Sequence, residues 1–366
     1  MRDRTTTIFN SFLLLLICAT MLVSVALRLD VGWVTYLTLF TSALLAISVI
    51  FTGNRFRWGY VILMSVVMLF HYFLTPDRIT TTILFWVTIF LFEAVDKGCY
   101  SYKIILYPLL MAFLIGFVFT IPDFLTSITI AHTSRSDLYQ GFFQNANSFA
   151  AFCLMTLMCV VLFMRRSKIR LAIIILLILN IYSSGSRNAM LFLLTSLGFY
   201  YFHKTRYAKF AYILYVLLLL LSTYYLLFLE MTHVIDFTVM GKAADSAGRS
   251  AQIAYIIGSF PIKLFGCGKD VIDAAINSVG DFSIHNFYIN SLYSLGVIPL
   301  LGYFYYIYYL WKNLPNIMAK AFLLAFNIYF FFEPGTCYYL LFLSVMPIII
   351  ILLTKQQPNY NISRQI

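Results

Sequence analysis

The chain has 366 residues, of which 62% are hydrophobic and 11% charged, and its mean hydropathy is +0.88. Soluble domains carry about 25% charged residues, so this composition excludes a soluble globular protein. The net charge of +11 does not indicate a nucleic-acid partner, because the Lys and Arg residues lie in short clusters between apolar runs, a pattern that orients membrane proteins. We expect a single integral membrane domain over residues 1–366.

The first apolar run covers residues 9–27, directly after a short charged start. It is longer than a signal-peptide core of roughly 7–15 residues, and no cleavage-site pattern follows it. We interpret it as an uncleaved first membrane span.

Apolar runs of similar length recur towards the C-terminus. A helix needs about 20 apolar residues to cross a hydrocarbon layer of about 30 Å, and this measure predicts an all-α polytopic transmembrane bundle of about twelve spans. A large outer loop separates the ninth and tenth spans. The predicted spans are residues 9–27, 31–51, 59–74, 79–95, 104–121, 146–164, 169–183, 188–202, 209–229, 286–311, 317–332 and 338–353.

The distribution of positive charge predicts the orientation of these spans. With the N-terminus inside, seventeen of the 25 Lys and Arg residues fall on the inner side and eight on the outer side. Positive charge is retained inside, so we expect both termini to be cytoplasmic. Residues 122–145 and 230–285 then form the long outer segments.

The second of these segments contains predicted local structure. Ile253, Ile256 and Ile257 recur at helical spacing, which predicts a short amphipathic helix that Pro261 ends. The glycines of residues 266–268 predict a tight turn beyond it.

The densest polar group in the chain follows directly, at the start of the predicted tenth span. Asn286, Asn290 and Ser294 repeat every fourth residue after His285, so they form one stripe on a helix. Lipid would leave their polar groups unsatisfied, so the stripe must face the bundle or a water-filled cavity. Taken alone, a histidine such as His285 is more often a hydrogen-bonded structural residue than a catalytic one.

Arg187 lies in a Ser-Gly-Ser-Arg-Asn turn between two apolar runs of about 15 residues, which reach roughly 22 Å as helices. A turn between such short helices is predicted to lie below the membrane surface, where charged residues usually serve function. The alternative is an arginine that extends to the interface and only caps a hairpin.

Two further segments carry candidate polar residues. Arg249 follows a glycine in the large outer loop, where a solvated charge is the alternative to a binding residue. Residues 141–149 form a polar and aromatic cluster that includes Asn145 and Asn147, and N-capping of the following helix is the alternative there.

This set of residues favours one chemistry. Arginine side chains bind phosphate oxygens in bidentate geometry, and a neutral histidine can take a proton from a sugar hydroxyl. A lipid diphosphate leaves as an anion and needs charge stabilisation rather than a general acid. The outer segments have no pattern of metal ligands, so we expect neither a metal nor another cofactor.

The ordered motifs resemble the O-antigen polymerase/ligase superfamily of bacterial membrane glycosyltransferases. The resemblance covers residues 141–302, and the first five spans match in hydropathy alone. Two features depart from the family pattern: no proline separates Asn145 from Asn147, and no acidic residue precedes Leu295. The matching motifs are Gly-x-Phe-x-Asn-x-Asn from Gly141, Ser-Gly-Ser-Arg-Asn from Ser184, Gly248-Arg249, Leu-Phe-Gly-x-Gly from Leu264, and His-Asn-x-Tyr from His285 with Leu295-Gly296.

The resemblance implies roles for individual residues. Arg187 and Arg249 would contact the diphosphate of the donor, and His285 would activate the acceptor. Asn147, Asn286 and Asn290 would bind or support substrate.

The resemblance also implies an activity, partners and a location. The expected enzyme polymerises oligosaccharide repeat units of O-antigen, capsule or exopolysaccharide at the outer face of the bacterial plasma membrane. Its donor and acceptor are polyprenyl-diphosphate-linked oligosaccharides in the lipid bilayer, and a chain-length regulator protein is a further expected partner. Two alternatives stay open: a ligase that moves polymer to lipid A core, and a flippase or transporter of the lipid-linked unit.

Overall fold

A computed structural model describes residues 4–27, 32–52, 56–75, 79–129, 138–143, 145–225, 238–239, 242–243, 249–278, 286–331 and 341–356. Over these residues the fold is helical, apart from an antiparallel pair of two-residue strands, β1 Thr238–Val239 and β2 Lys242–Ala243. The predicted all-α class is confirmed.

Most of the α-helices follow the predicted apolar runs closely, because polar caps, charged residues and glycines mark the ends of those runs. Two further helices, Ile121–Thr129 and Lys269–Ser278, lie in segments for which no helix was predicted. Ser167, for example, accepts a hydrogen bond from the Arg170 backbone N–H at 3.1 Å and starts the eighth helix. In chain order the helices are α1 Arg4–Leu27, α2 Gly32–Phe51, α3 Trp58–Leu74, α4 Ile79–Lys97, α5 Lys103–Phe119, α6 Ile121–Thr129, α7 Ala146–Phe163, α8 Lys168–Ser183, α9 Arg187–Lys204, α10 Ala211–Tyr224, α11 Arg249–Ser259, α12 Lys269–Ser278, α13 Phe287–Ser294, α14 Val297–Asn313, α15 Ile317–Tyr329 and α16 Leu341–Leu353.

One predicted span is wrong as a continuous helix. Residues 286–311 form two helices, α13 and α14, because the backbone turns at Leu295 and Gly296. Gly296 has φ 103°, a left-handed conformation that interrupts a helix and favours glycine.

Two of the described helices are long and apolar enough to cross a membrane by themselves, over Thr5–Val23 and Ala146–Phe163. Lys103–Phe119 and Ile121–Ile128 make a third if they count as one span bent by 76°. Several other apolar helices are shorter, including Trp58–Leu74 and Ile317–Tyr329. The number of complete spans predicted from the sequence therefore stays a prediction.

The centre of the bundle is built from helices that are apolar on every side. Nearly all of α7 is buried, and so is the second half of α15. Helices of this kind belong in the interior of a bundle, with amphipathic neighbours around them. Helix α15 packs along α9, where the ring of Phe192 stacks on that of Phe322 at a centroid distance of 5.8 Å.

Four charged residues meet at one end of the bundle, which we call the ion-pair end. Arg57, just before α3, forms an ion pair and a hydrogen bond with Glu93 of α4. Lys355, just after α16, pairs with Asp96 of α4. The Arg57 guanidinium also lies 3.8 Å from the centroid of the Tyr309 ring. The start of α3 and the ends of α4, α14 and α16 are thus held together by charge.

We expect Glu93→Gln to lower the free energy of unfolding by about 3 kcal/mol. Breaking a buried ion pair costs about 3–5 kcal/mol. We take the lower value because the Arg57 side chain is 19% exposed, so water can partly solvate its charge once the partner is lost. Denaturant unfolding of the detergent-purified protein measures it. The matched control is Asp123→Asn on α6, where the carboxylate is exposed, and its expected change is within about 0.5 kcal/mol. Equal changes in the two variants would contradict a stabilising role for the Arg57–Glu93 pair.

Candidate active site

The polar stripe of α13 lies inside the bundle. Asn286, Asn290 and Ser294 are 0%, 2% and 3% exposed, as their four-residue spacing predicts. Asn286 caps the helix, since its Oδ1 accepts a hydrogen bond from the Ile289 backbone N–H at 2.9 Å. Ser294 Oγ donates to Asn290 Oδ1 at 2.8 Å.

One group of the stripe and one beside it have unused hydrogen-bonding capacity. Within the described part of the chain, Asn286 Nδ2 and Ser291 Oγ are buried without a hydrogen-bond partner. A buried polar group in that state costs roughly 1–3 kcal/mol. Such groups call for an explanation, and a bound polar molecule is one.

Arg187 is the first residue of α9, and the turn before it is buried. Ser183, Ser184 and Ser186 are at most 2% exposed. The Ser184 hydroxyl donates to the Ile181 carbonyl at 2.6 Å, and the Ser183 carbonyl accepts from the Tyr139 backbone N–H at 3.2 Å. The turn is therefore enclosed by protein, while the Arg187 side chain is half-buried. Its depth in a membrane stays a prediction.

Arg187 and Asn286 lie near the same end of α15. Phe192 contacts both Phe326 and Tyr329 with its ring, so the start of α9 runs alongside the end of α15. Asn286 lies next to Phe287, whose backbone N–H donates to the Phe330 carbonyl at 3.1 Å. We call this end of the bundle the site end.

The helices of the predicted outer loop, α11 and α12, pack towards α13. Helix α11 begins at Arg249 and buries Ile253 and Ile256, as predicted, while Ile257 is exposed. It packs on α12, which buries Ile272 and packs on α13. Arg249 therefore begins a helix that is connected to α13 through its packing on α12.

Residues 263–268, which we call the clasp, hold the break between α13 and α14. The backbone N–H groups of Cys267 and Gly268 donate to the last carbonyls of α13, at Tyr293 and Ser294, over 2.7 and 3.1 Å. In the other direction, the first N–H groups of α14, at Val297 and Ile298, donate to the carbonyls of Lys263 and Leu264 over 3.2 and 3.1 Å. The clasp thus satisfies both helix ends, which would otherwise lack partners.

Glycine is required where the clasp meets this break. A Cβ on Gly266 would lie 2.2 Å from the Ser294 carbonyl oxygen, and one on Gly296 would lie 2.4 Å from the Gly266 nitrogen. Gly266 also has φ 76°. The predicted tight turn at residues 266–268 is confirmed, and its glycines permit backbone-to-backbone contact with α13.

Asn147 occupies a different environment from the stripe. It is exposed in the first turn of α7, and its backbone N–H donates to Asn145 Oδ1 at 2.7 Å. The capping role considered for this cluster is confirmed for Asn145. A substrate-binding role for the Asn147 side chain stays a prediction.

Two predicted site residues are described incompletely or not at all. His285 lies outside the described residues, directly before Asn286. Arg249 is described as the start of α11, but its side chain lies outside the description. Their predicted roles stay predictions.

A buried polar network beside the stripe was missed by the sequence analysis. The Tyr288 hydroxyl donates to the Asn327 carbonyl at 2.8 Å and lies 3.4 Å from the Tyr215 hydroxyl. The Tyr303 hydroxyl donates to Asn327 Oδ1. This network links α10, α13, α14 and α15. The sequence feature that could have indicated this network is Asn327, a single amide side chain within an apolar helix.

Comparison with models of known protein families and with curated protein sequences found no match.

Proposed function

We propose that this protein is a membrane glycosyltransferase that polymerises oligosaccharide repeat units carried on a polyprenyl diphosphate. The resemblance over residues 141–302 supports the activity. The observation that carries the proposal is the position of Arg187 and of the buried Asn286 near the same end of α15. A permanent positive charge and, among the described residues, buried polar groups without a hydrogen-bond partner near one end of α15 suit an anionic, sugar-bearing substrate.

The proposed reaction transfers a glycan from donor to acceptor. A hydroxyl oxygen of the acceptor sugar attacks the anomeric carbon of the donor glycan, and the bond from that carbon to the diphosphate oxygen breaks. The electron pair of the broken bond leaves with the lipid diphosphate. The hydroxyl proton passes to the imidazole of His285, which acts as general base.

The arginines act on the leaving group. Negative charge increases on the diphosphate as the sugar bond breaks, and Arg187 and Arg249 stabilise that charge. The first N–H groups of α9 add the positive partial charge of a helix N-terminus next to Arg187. Asn286 and Asn290 hold the acceptor sugar, and Asn147 supports the donor from α7.

The proposed setting is the bacterial plasma membrane, with about twelve spans and both termini cytoplasmic. Contacts at the ion-pair end support this arrangement, because Arg57, Lys97 and Lys355 are all predicted inside and all lie there. The site end would then face outside, where lipid-linked repeat units and a chain-length regulator are accessible.

Deleting the gene and separating the surface glycans on a gel tests the proposed activity. If the protein is a polymerase, we expect the deletion strain to carry single repeat units attached to their final acceptor. Loss of every repeat with lipid-linked polymer accumulating would instead indicate a ligase, and loss of both would indicate a flippase. Restoration of polymer by the wild-type gene, but not by an Arg187→Ala gene, completes the test.

We expect a cysteine placed at Ser246 to react with a membrane-impermeant thiol reagent in intact cells, because residues 230–285 are predicted outside. The matched control is Ser101→Cys, in the predicted inner loop after α4, which should react only after permeabilisation. Peptide mapping by mass spectrometry separates these sites from the native cysteines. The reverse pattern would overturn the orientation and the proposed mechanism with it.

A further inference from the structure

His71 is a buried histidine in an otherwise apolar helix, far along the chain from the candidate site. It lies in the last turn of α3 and is fully buried. Its Nδ1 lies 2.6 Å from the carbonyl oxygen of Phe265, which belongs to the clasp. A carbonyl oxygen accepts only, so Nδ1 carries the hydrogen and donates it.

The neighbouring contacts place α3 firmly against the clasp. The ring of Phe70 stacks on that of Phe265 with centroids 5.7 Å apart. Thr75, after the end of α3, donates its hydroxyl hydrogen to the His71 carbonyl at 2.8 Å. The clasp is therefore held on one side by α3 and on the other by the break between α13 and α14.

We propose that His71 is a positioning residue for the candidate site and acts through the clasp. Helix α13 carries Asn286 and Asn290, and its last carbonyls are held by the clasp N–H groups of Cys267 and Gly268. The hydrogen bond from His71 fixes the clasp, the clasp fixes the end of α13, and α13 fixes the stripe. The effect of His71 on glycan transfer rests on the proposed function, whereas its hydrogen bond to the clasp does not.

Cys267 provides a native reporter for the structural part. It is a free thiol in the clasp, only 7% exposed, and its backbone N–H donates to α13. A thiol reagent can reach it only when the clasp opens locally. Its rate of labelling with N-ethylmaleimide, read by peptide mapping, therefore reports how often the clasp separates from α13.

The test compares substitutions that keep or remove the donor. His71→Leu leaves the Phe265 carbonyl without this donor, and we expect Cys267 labelling to rise about tenfold, the size of effect typical for an unsatisfied buried acceptor. In His71→Asn the side-chain amide nitrogen can take the place of Nδ1, so labelling should stay within about twofold of the wild-type rate. His71→Gln carries its amide one bond further out and should behave like the leucine variant, and it is the second variant if His71→Leu does not accumulate. The control is Thr75→Val, which removes a hydroxyl 3.5 Å from His71 Nε2 but keeps the Nδ1 donor, so Cys267 labelling should stay within about twofold of the wild-type rate.

The catalytic consequence is read from kinetics of the full-length protein in detergent. We expect His71→Leu to lower kcat with little change in KM for the lipid-linked donor, and His71→Asn to restore kcat. Unchanged Cys267 labelling in both His71→Leu and His71→Gln would overturn the proposal. Faster labelling with unchanged kcat would overturn the link to the site. If the wild-type protein has no transferase activity, the proposed function fails, and the labelling series still decides whether His71 holds the clasp.

Discussion

His285→Ala is expected to lower the rate of glycan transfer by about 10²–10⁴, the contribution of a positioned general base. The loss should fall on kcat, because the imidazole accepts a proton in the transition state and is not needed to hold the diphosphate. Transfer by purified protein with a lipid-linked donor and acceptor measures the rate. A separate binding assay with radiolabelled donor should give wild-type affinity.

His203→Ala is the matched control for this substitution. His203 is a buried histidine near the end of α9, and its ring lies close to that of Trp311. It falls in the predicted inner loop between the spans of residues 188–202 and 209–229. It should leave the transfer rate nearly unchanged per molecule of folded protein. Normal transfer by His285→Ala would eliminate the general-base assignment, and the base would have to be sought elsewhere at the site end.

Arg187→Lys is expected to lower the transfer rate by about 10²–10³, the usual effect of removing one preorganised donor to developing charge. Lysine keeps the positive charge but loses the planar, bidentate geometry that matches phosphate oxygens. Arg249→Lys should show a similar loss if the Arg249 side chain also binds the donor diphosphate. Because the arginines act on the leaving group, His285→Ala and Arg187→Lys should differ in donor affinity, with weaker binding in the arginine variant.

Arg165→Lys is the control for the arginine variants, since Arg165 is exposed in the predicted inner loop between α7 and α8. It should retain full activity. Full activity of Arg187→Lys and Arg249→Lys would mean that both arginines are ordinary interfacial charges. The amount of each variant in the membrane must be measured as well, since Arg187 follows a buried turn whose disruption would expose the protein to degradation.

Local sequence was sufficient to predict most of the helices and several of their details, but not α6 or α12. Apolar runs predicted α1, α7 and α8 to within a few residues, because lipid and the bundle interior both require a satisfied backbone and an apolar surface. The spacing of Asn286, Asn290 and Ser294 predicted a buried stripe for the same reason. Pro261 and the clasp glycines predicted a helix end and a tight turn, since their backbone preferences are intrinsic to those residues.

The lengths of two neighbouring apolar runs also predicted two short helices joined by the turn before Arg187, and that turn is buried. Which residues would meet Arg187 could not be derived that way. The start of α9 and the start of α13 come to the same end of the bundle through α15, which begins over a hundred residues after Arg187 and contacts both segments.

Only the tertiary structure decided the contacts between distant segments. Arg57 and Lys355 count in the sequence as orientation signals, yet Glu93 and Asp96 of α4 pair with them inside one end of the bundle. His71 looks like a chance polar residue in an apolar helix until the clasp places the Phe265 carbonyl beside it. The prediction of one continuous helix over residues 286–311 was wrong, because hydropathy does not detect the left-handed backbone of Gly296. The helical hydrogen bonds lost at that residue are replaced by hydrogen bonds to the clasp. Hydropathy and spacing describe what each segment requires of its surroundings, whereas the partner that meets each requirement is determined by packing in three dimensions.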